Sequence, residues 1–212
     1  MPSGLYLCVI TDTRLAPAKD HVAIAEVALR GGAEMIQLRD KAGDLRDLLP
    51  QARAIQALCR ACGAVFIVND RVDLALAAGA DGAHVGQDDL PAAAARRLLG
   101  PGRTLGVSTH TLDQVRAAEK AGADYLGFGP MFPTGTKDTG YAPRGLEALR
   151  EVRRATRLPI LAIGGITLEN VEDVIQAGAT APAVISAILA APDIAAAAAA
   201  FRQRVVSAKS AA

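Results

Sequence analysis

GGAEMIQLR (residues 31–39), AGADGAHVG (78–86), AGADYLGFG (121–129) and AGATAPAVIS (177–186) share one design. In each, a helix ends at glycine and a short run suited to a β-strand begins. Glycine fits the left-handed backbone position at which helices commonly stop. Four further runs of this kind, LYLCVI (5–10), VFIV (65–68), TLGV (104–107) and PILAI (159–163), bring the count to eight strands. Helical stretches are expected between them at 21–30, 44–62, 91–99, 112–121, 145–155 and 168–177, with 194–206 closing the chain. Eight strand-helix units predict an α/β protein, one (β/α)8 barrel of the TIM type over residues 1–212.

The competing architecture, an open doubly wound sheet, would usually show G-x-G-x-x-G after its first strand if it bound a dinucleotide. That turn reads TDTRLAP here. A phosphate-binding P-loop is also missing, because Gly129 and Gly135 are six apart and Lys137 does not directly follow the second. At 212 residues the chain sits near the lower end for such a barrel, so its loops must be short. A 51% apolar composition supports a sizeable core, and 23 Lys and Arg against 22 Asp and Glu argue against a nucleic-acid or membrane-surface binder. The start, MPSGLYLCVITD, lacks a basic segment followed by a long apolar stretch, and a cytoplasmic protein is expected. Cys59 and Cys62 form a C-x-x-C on an expected helix, without a second pair at metal-ligand spacing, and read as structural. Cys8 reads as core.

In a closed parallel barrel, whatever follows each strand converges on one rim. The chemically capable residues of this chain lie at those places: QLRDK (37–41), Asn69-Asp70-Arg71, Gln87-Asp88-Asp89, Ser108-Thr109-His110, PTGTK (133–137), Gly164-Gly165 and Ser186. Gly164-Gly165 and Ser186 follow the last two strands, where barrels often hold a phosphate on backbone N–H groups and a helix N-terminus. A plain tight turn, with Thr167 capping the next helix, is the alternative. Asp70 and Asp89 follow adjacent strands. At about 4 Å two carboxylates repel by roughly 4 kcal/mol at an effective dielectric of 20, so a cation such as Mg²⁺ suits them. Either could instead cap a helix, and spacing leaves both readings open. Arg39, Lys41 and Lys137 supply cations for a diphosphate, although any one of them could be a solvated surface charge. A diphosphate ester joined to a monophosphate is the reaction class that this rim suggests.

Taken in order, QLRDK, VNDRVDLA (68–75), GAHVGQDDLP (82–91), GVSTHT (106–111), FGPMFPTGTK (128–137) and AIGGI (162–166) resemble the thiamine-phosphate synthase family over essentially the whole chain. The resemblance implies a barrel that joins a pyrimidine carrying a diphosphooxymethyl group to a thiazole phosphate or its carboxylated form. The products would be thiamine phosphate and diphosphate, and the substitution would be dissociative. It places the pyrimidine diphosphate against Gln37, Leu38, Arg39, Asp40, Lys41, Asn69, Ser108 and Lys137, with Arg39, Lys41, Ser108 and Lys137 as the catalytic set. Asp70 and Asp89 would hold Mg²⁺. Thr134, Gly135, Thr136, Gly165, Ile185 and Ser186 would receive the thiazole phosphate. Partners are then small molecules, with no nucleic acid and no membrane, and assembly as a homo-oligomer is left open.

The shortage of histidines fits such chemistry, which needs charge neutralisation and placement more than a general base. His110 reads as structural at a helix start, His84 lies within a strand, and His21 is expected on a surface helix. Two departures from the family pattern stand out. Asp40 occupies a position where Glu is usual, and Pro182 removes a backbone donor from the eighth strand. A related thiazole tautomerase and a silent phosphate-ligand binder are the alternatives. Arg39, Lys41, Asp70, Asp89 and Lys137 together favour the synthase.

Overall fold

The computed structural model describes residues 4–136 and 140–210. Its strands are β1 (Cys8–Thr11), β2 (Met35–Leu38), β3 (Val65–Asn69), β4 (Gly82–Val85), β5 (Thr104–Thr109), β6 (Tyr125–Phe128), β7 (Ile160–Ile163) and β8 (Ala181–Val184). They pair in sequence order, all parallel, and β8 closes on β1. Around them run α1 (His21–Arg30), α2 (Leu45–Cys62), α3 (Val72–Ala78), α4 (Ala92–Leu99), α5 (Leu112–Lys120), α6 (Gly145–Ala155), α7 (Val171–Gln176), the single turn α8 (Ser186–Leu189) and α9 (Ile194–Ser210). The (β/α)8 barrel expected from the sequence is the observed architecture. Among the described residues no helix is long and apolar enough to cross a membrane.

The repeated stretches work as their spelling implies. The second residue of each is a glycine with positive φ: Gly32 at 88°, Gly79 at 69°, Gly122 at 85° and Gly178 at 109°. Each turns the chain from a helix into the strand that follows, in a region that L side chains avoid. Boundaries elsewhere differ by a few residues. The first strand begins at Cys8 rather than residue 5. The seventh helix begins at Val171 because Thr167 and Asn170 form a turn before it, with Asn170 Oδ1 accepting from Thr167 N at 2.9 Å. The last helix continues to Ser210. Pro182 does not break β8, where it stands opposite Ala162. One missing donor removes at most one ladder bond and leaves the neighbouring pairs intact.

The core lies in two layers, one between strands and helices and one inside the barrel. Outward-facing Leu38 and Phe66 pack with helix residues such as Ile24 and Ile55, all almost wholly buried. Inside, the register sets His84 beside Gly106 and Gly106 beside Tyr125. The glycine between two large rings makes room for them: His84 Nδ1 lies 3.0 Å from the Tyr125 hydroxyl. A Cβ at Gly106 would overlap the Tyr125 ring, its hydroxyl and His84 Nδ1. Gly106→Ala is therefore expected to destabilise the fold by at least about 1–3 kcal/mol, the range for overpacked cores. Chemical denaturation checks this, and a change below about 0.5 kcal/mol would show that the rings have somewhere else to go.

Candidate active site

At the C-terminal ends of the strands a cleft opens, with about 950 Å³ of empty space that is partly continuous with solvent. Gln37, Arg39, Asn69 and Ser108 line one side of it, and Thr134, Thr136, Gly165, Ile185 and Ser186 line the other. Its floor includes His84, Tyr125 and apolar Ile10, Leu161 and Ala183. Strands from every quarter of the barrel thus contribute to one pocket. Leu38 does not line the cleft. Side chains alternate along a strand, so Gln37 and Arg39 face the cleft while Leu38, 1% exposed, packs in the outer core. Lys41, Asp40, Asp70, Asp89 and Gly135 stand around this lining rather than within it. Lys137 lies outside the described residues.

The polar end is organised by a buried carboxylate that the sequence reading missed. Asp12, just beyond β1 and 3% exposed, accepts from Arg39 Nη1 at 2.7 Å on Oδ2. Arg14 also grips it, with Nε 3.0 Å from Oδ1 and Nη2 2.7 Å from Oδ2. The Arg14 hydrogen bonds outweigh burial and hold the Asp12 carboxyl below the usual range, with Arg39 adding to this. Arg39 is 8% exposed, so its guanidinium is presented by a fixed partner rather than swinging in solvent.

Asp70 is, among the described residues, the one non-glycine with positive φ, at 64°. Asp tolerates that region better than most residues, and such conformations cluster at functional sites. Burial and a hydrogen bond with Asp89 push its carboxyl upward, while Lys41 Nζ, in contact with Oδ2, opposes them. Neither aspartate caps a helix. Arg71 and Pro91 occupy the N-cap positions of α3 and α4 without a side-chain capping bond, and Asp89 Oδ2 instead accepts from Gly86 N at 2.7 Å. No cluster of three or more acidic, His or Cys groups exists among the described residues. Two adjacent carboxylates are nevertheless a donor set suited to Mg²⁺, which takes its remaining oxygens from substrate and water.

At the opposite end the chain beyond β6 runs beside the end of β7, with Met131 N donating to Ile163 O at 2.9 Å and Phe132 N to Gly164 O at 3.0 Å. This carries Thr134 and Thr136 over the Gly164-Gly165 turn. Thr136 Oγ1 donates to Ser186 Oγ at 3.2 Å, and Thr136 N to Thr134 Oγ1 at 3.3 Å. The expected helix N-terminus is only the single-turn α8, too short to sum a useful dipole. Hydroxyls and loop amides are therefore the donors available to an anion here.

Between the ends lies a chain of polar groups. His84 Nε2 is 2.8 Å from Ser108 Oγ, and the fully buried Tyr125 hydroxyl meets both His84 Nδ1 and Gln37. Burial pushes that phenol well above its ordinary range. His110 approaches Gly129 O through Nδ1 and stacks on Tyr141 with centroids 3.9 Å apart. His21 is not the surface residue that was expected: it is 2% exposed. For His84 and Tyr125 a signal existed, since polar residues at inward strand positions rarely serve packing alone.

Residues 7–188 match the family model described as thiamine monophosphate synthase. The chain is 54% identical over 192 residues to the thiamine-phosphate synthase of Chlorobium phaeovibrioides, covering 91% of this chain and 90% of that one. It is 50% identical over 203 residues to the enzyme of the same name from Moorella thermoacetica, covering 96% and 97%. A solved structure of thiamine phosphate pyrophosphorylase from Pyrococcus furiosus superposes with a TM-score of 0.89 at 39% identity, over 96% of each chain.

Proposed function

Since this chain belongs to the thiamine-phosphate synthase family, and so is a transferase of thiamine biosynthesis, we propose that it couples a pyrimidine diphosphate to a thiazole phosphate in the presence of Mg²⁺. The observation that carries this reading is the pocket with two unlike anion-handling ends. Arg39 lines one, with the linked Lys41, Asp70 and Asp89 standing beside the lining, and Thr134, Thr136 and Ser186 line the other. The apolar lining between them, including Ile10, Leu161, Ile163 and Val184, would receive the two rings.

In the proposed reaction the bond from the exocyclic methylene carbon to the diphosphate oxygen breaks, and the diphosphate departs with the electron pair. The thiazole nitrogen supplies the pair for the new carbon–nitrogen bond. No proton leaves the reacting carbon, so the residues contribute placement and charge rather than base catalysis. Arg39, held by Asp12, meets the departing oxygens with bidentate N–H donors, and Lys41 and Lys137 add point charge. Mg²⁺ held by Asp70 and Asp89 would supply further positive charge to the leaving group. Gln37, Asn69 and Ser108 fix the pyrimidine ring, while Thr134, Thr136, Gly165, Ile185 and Ser186 hold the thiazole phosphate.

The test follows diphosphate and thiamine phosphate on mixing protein, pyrimidine diphosphate, thiazole phosphate and Mg²⁺. Equimolar products that require all four components are expected. Thiazole-phosphate binding without product would overturn the coupling reaction, and a tautomerisation assay would then separate an isomerase from a silent binder.

A further inference from the structure

Arg39 and Lys41 sit on a loop without regular structure between β2 and α2, so their placement needs an external hold. Asp12 and Asp70 meet the two side chains, and one imidazole ties the loop itself. His21 Nδ1 lies 2.7 Å from Thr11 Oγ1, and His21 Nε2 lies 3.0 Å from Asp40 Oδ2. Thr11 Oγ1 accepts from Arg39 N at 3.3 Å. The other oxygen of Asp40 accepts from Ala42 N at 2.8 Å and Gly43 N at 2.7 Å. A continuous chain of hydrogen bonds therefore runs from the Arg39 amide, through β1 and the start of α1, to the far end of the same loop.

The proton inventory gives that chain a direction. Thr11 is wholly buried, so its hydroxyl hydrogen needs an acceptor, and His21 Nδ1 offers a lone pair within reach. Nε2 then carries the ring hydrogen and donates to Asp40. The reverse tautomer would strand the Thr11 hydrogen and aim a lone pair at a carboxylate. Burial alone would raise the Asp40 carboxyl, but the hydrogen bonds from His21, Ala42 and Gly43 outweigh it and hold it low. Asp40 is thus the acceptor for three donors on two elements.

We propose that His21 is a positioning residue for the diphosphate end of the pocket, tying both ends of the 39–43 loop so that Arg39 and Lys41 face one anion. This assignment deepens the coupling reading above and rests on it. Its signature is one-sided, because Thr134, Thr136, Gly165 and Ser186 share none of these bonds.

Calorimetric titration of magnesium diphosphate, and separately of thiazole phosphate, into the wild type, His21→Ala, Asp40→Asn and Asp40→Glu tests it. Diphosphate affinity is expected to fall about tenfold or more in the first two variants, about 1.4 kcal/mol per tenfold. Thiazole-phosphate affinity should stay within about twofold by the separation of the two ends, and Asp40→Glu should recover diphosphate binding because it restores the charged acceptor. In steady state the KM for the pyrimidine diphosphate rises and the KM for thiazole phosphate does not. Asp40→Asn guards against misfolding of His21→Ala. Its side-chain position is 21% exposed, and an amide can still accept from the loop N–H groups while its NH₂ opposes the His21 donor. Unchanged diphosphate affinity in both variants, or an equal loss for both ligands, overturns the proposal. An imidazole nitrogen spectrum showing hydrogen on Nδ1 rather than Nε2 overturns the direction of the chain. Because diphosphate binding is read without turnover, a wild type that binds it but yields no thiamine phosphate would sink the coupling reaction and leave the His21 comparison standing.

Discussion

Arg39→Met is expected to lower kcat/KM for the pyrimidine diphosphate by about 10²–10³-fold, the loss usual when a single preorganised donor to developing charge is removed. The physical reason lies as much in Asp12 as in the lost cation. Arg39 Nη1 donates to Asp12 Oδ2 at 2.7 Å, which leaves the rest of a rigid fork for phosphate oxygens. In the variant Asp12 stays ionised, because Arg14 supplies the largest stabilising interaction with it. A buried carboxylate then faces an arriving diphosphate with only Arg14, an exposed side chain, beside it. Arg39→Lys should rescue little, since one ammonium cannot serve both a carboxylate and a phosphate with the same geometry. The effect on stability has the opposite scale. A carboxyl held low in the fold adds stability that is present above its unfolded pKa and lost as pH falls through the folded value. With Arg14 retained, the acid-unfolding midpoint should move only slightly. Steady-state kinetics decide the matter: a loss under about tenfold would take Arg39 away from the leaving group, and a change in KM alone would make its contribution ground-state binding.

The sequence made the rim legible because a parallel barrel converts position after a strand into position in space. Gln37, Asn69, Ser108, Thr134, Thr136, Gly165 and Ser186 all reached the pocket for that reason. What stayed hidden depends on register and on contacts between elements far apart in the chain. The row His84, Gly106, Tyr125 is invisible until three strands are aligned, although each residue alone sits in an ordinary strand. His21 opens α1 and looks solvent-facing by position, yet Thr11 and Asp40 approach it from β1 and the loop after β2. Asp12 read as part of a turn, because nothing local reveals that Arg39, 27 residues on, returns beside it. Leu38 came with the QLRDK motif as a whole, and strand alternation turns its side chain into the outer core.

Asp70→Asn should separate stability from function in opposite directions. In the metal-free protein it is expected to raise the unfolding midpoint by roughly 2–4 °C, corresponding to about 1 kcal/mol for a chain of this size. Asn accepts the φ of 64° as readily as Asp does, so the backbone is not penalised. The amide removes a buried charge from beside Asp89, the two causes that push the Asp70 carboxyl upward. It also gives up the Lys41 contact, but Lys41 is 46% exposed and such pairs are worth only about 0–1 kcal/mol. The pH dependence follows from the direction of the shift. A carboxyl raised in the fold costs nothing while both states are protonated. Its cost grows as pH climbs from about 4, the ordinary Asp range, through the raised value, and is constant above that. The stability gap between variant and wild type should therefore open over that interval and then level off. Adding Mg²⁺ with diphosphate should reverse the order of the two midpoints, because a ligand that binds only the folded state stabilises in proportion to its affinity, and the variant has lost an oxygen donor. Turnover should fall by at least about 10²-fold. A variant less stable than wild type without metal would mean that Lys41 outweighs the repulsion from Asp89. A variant still stabilised equally by Mg²⁺ and diphosphate would remove Asp70 from the metal site and leave its strained backbone to be explained by loop geometry alone.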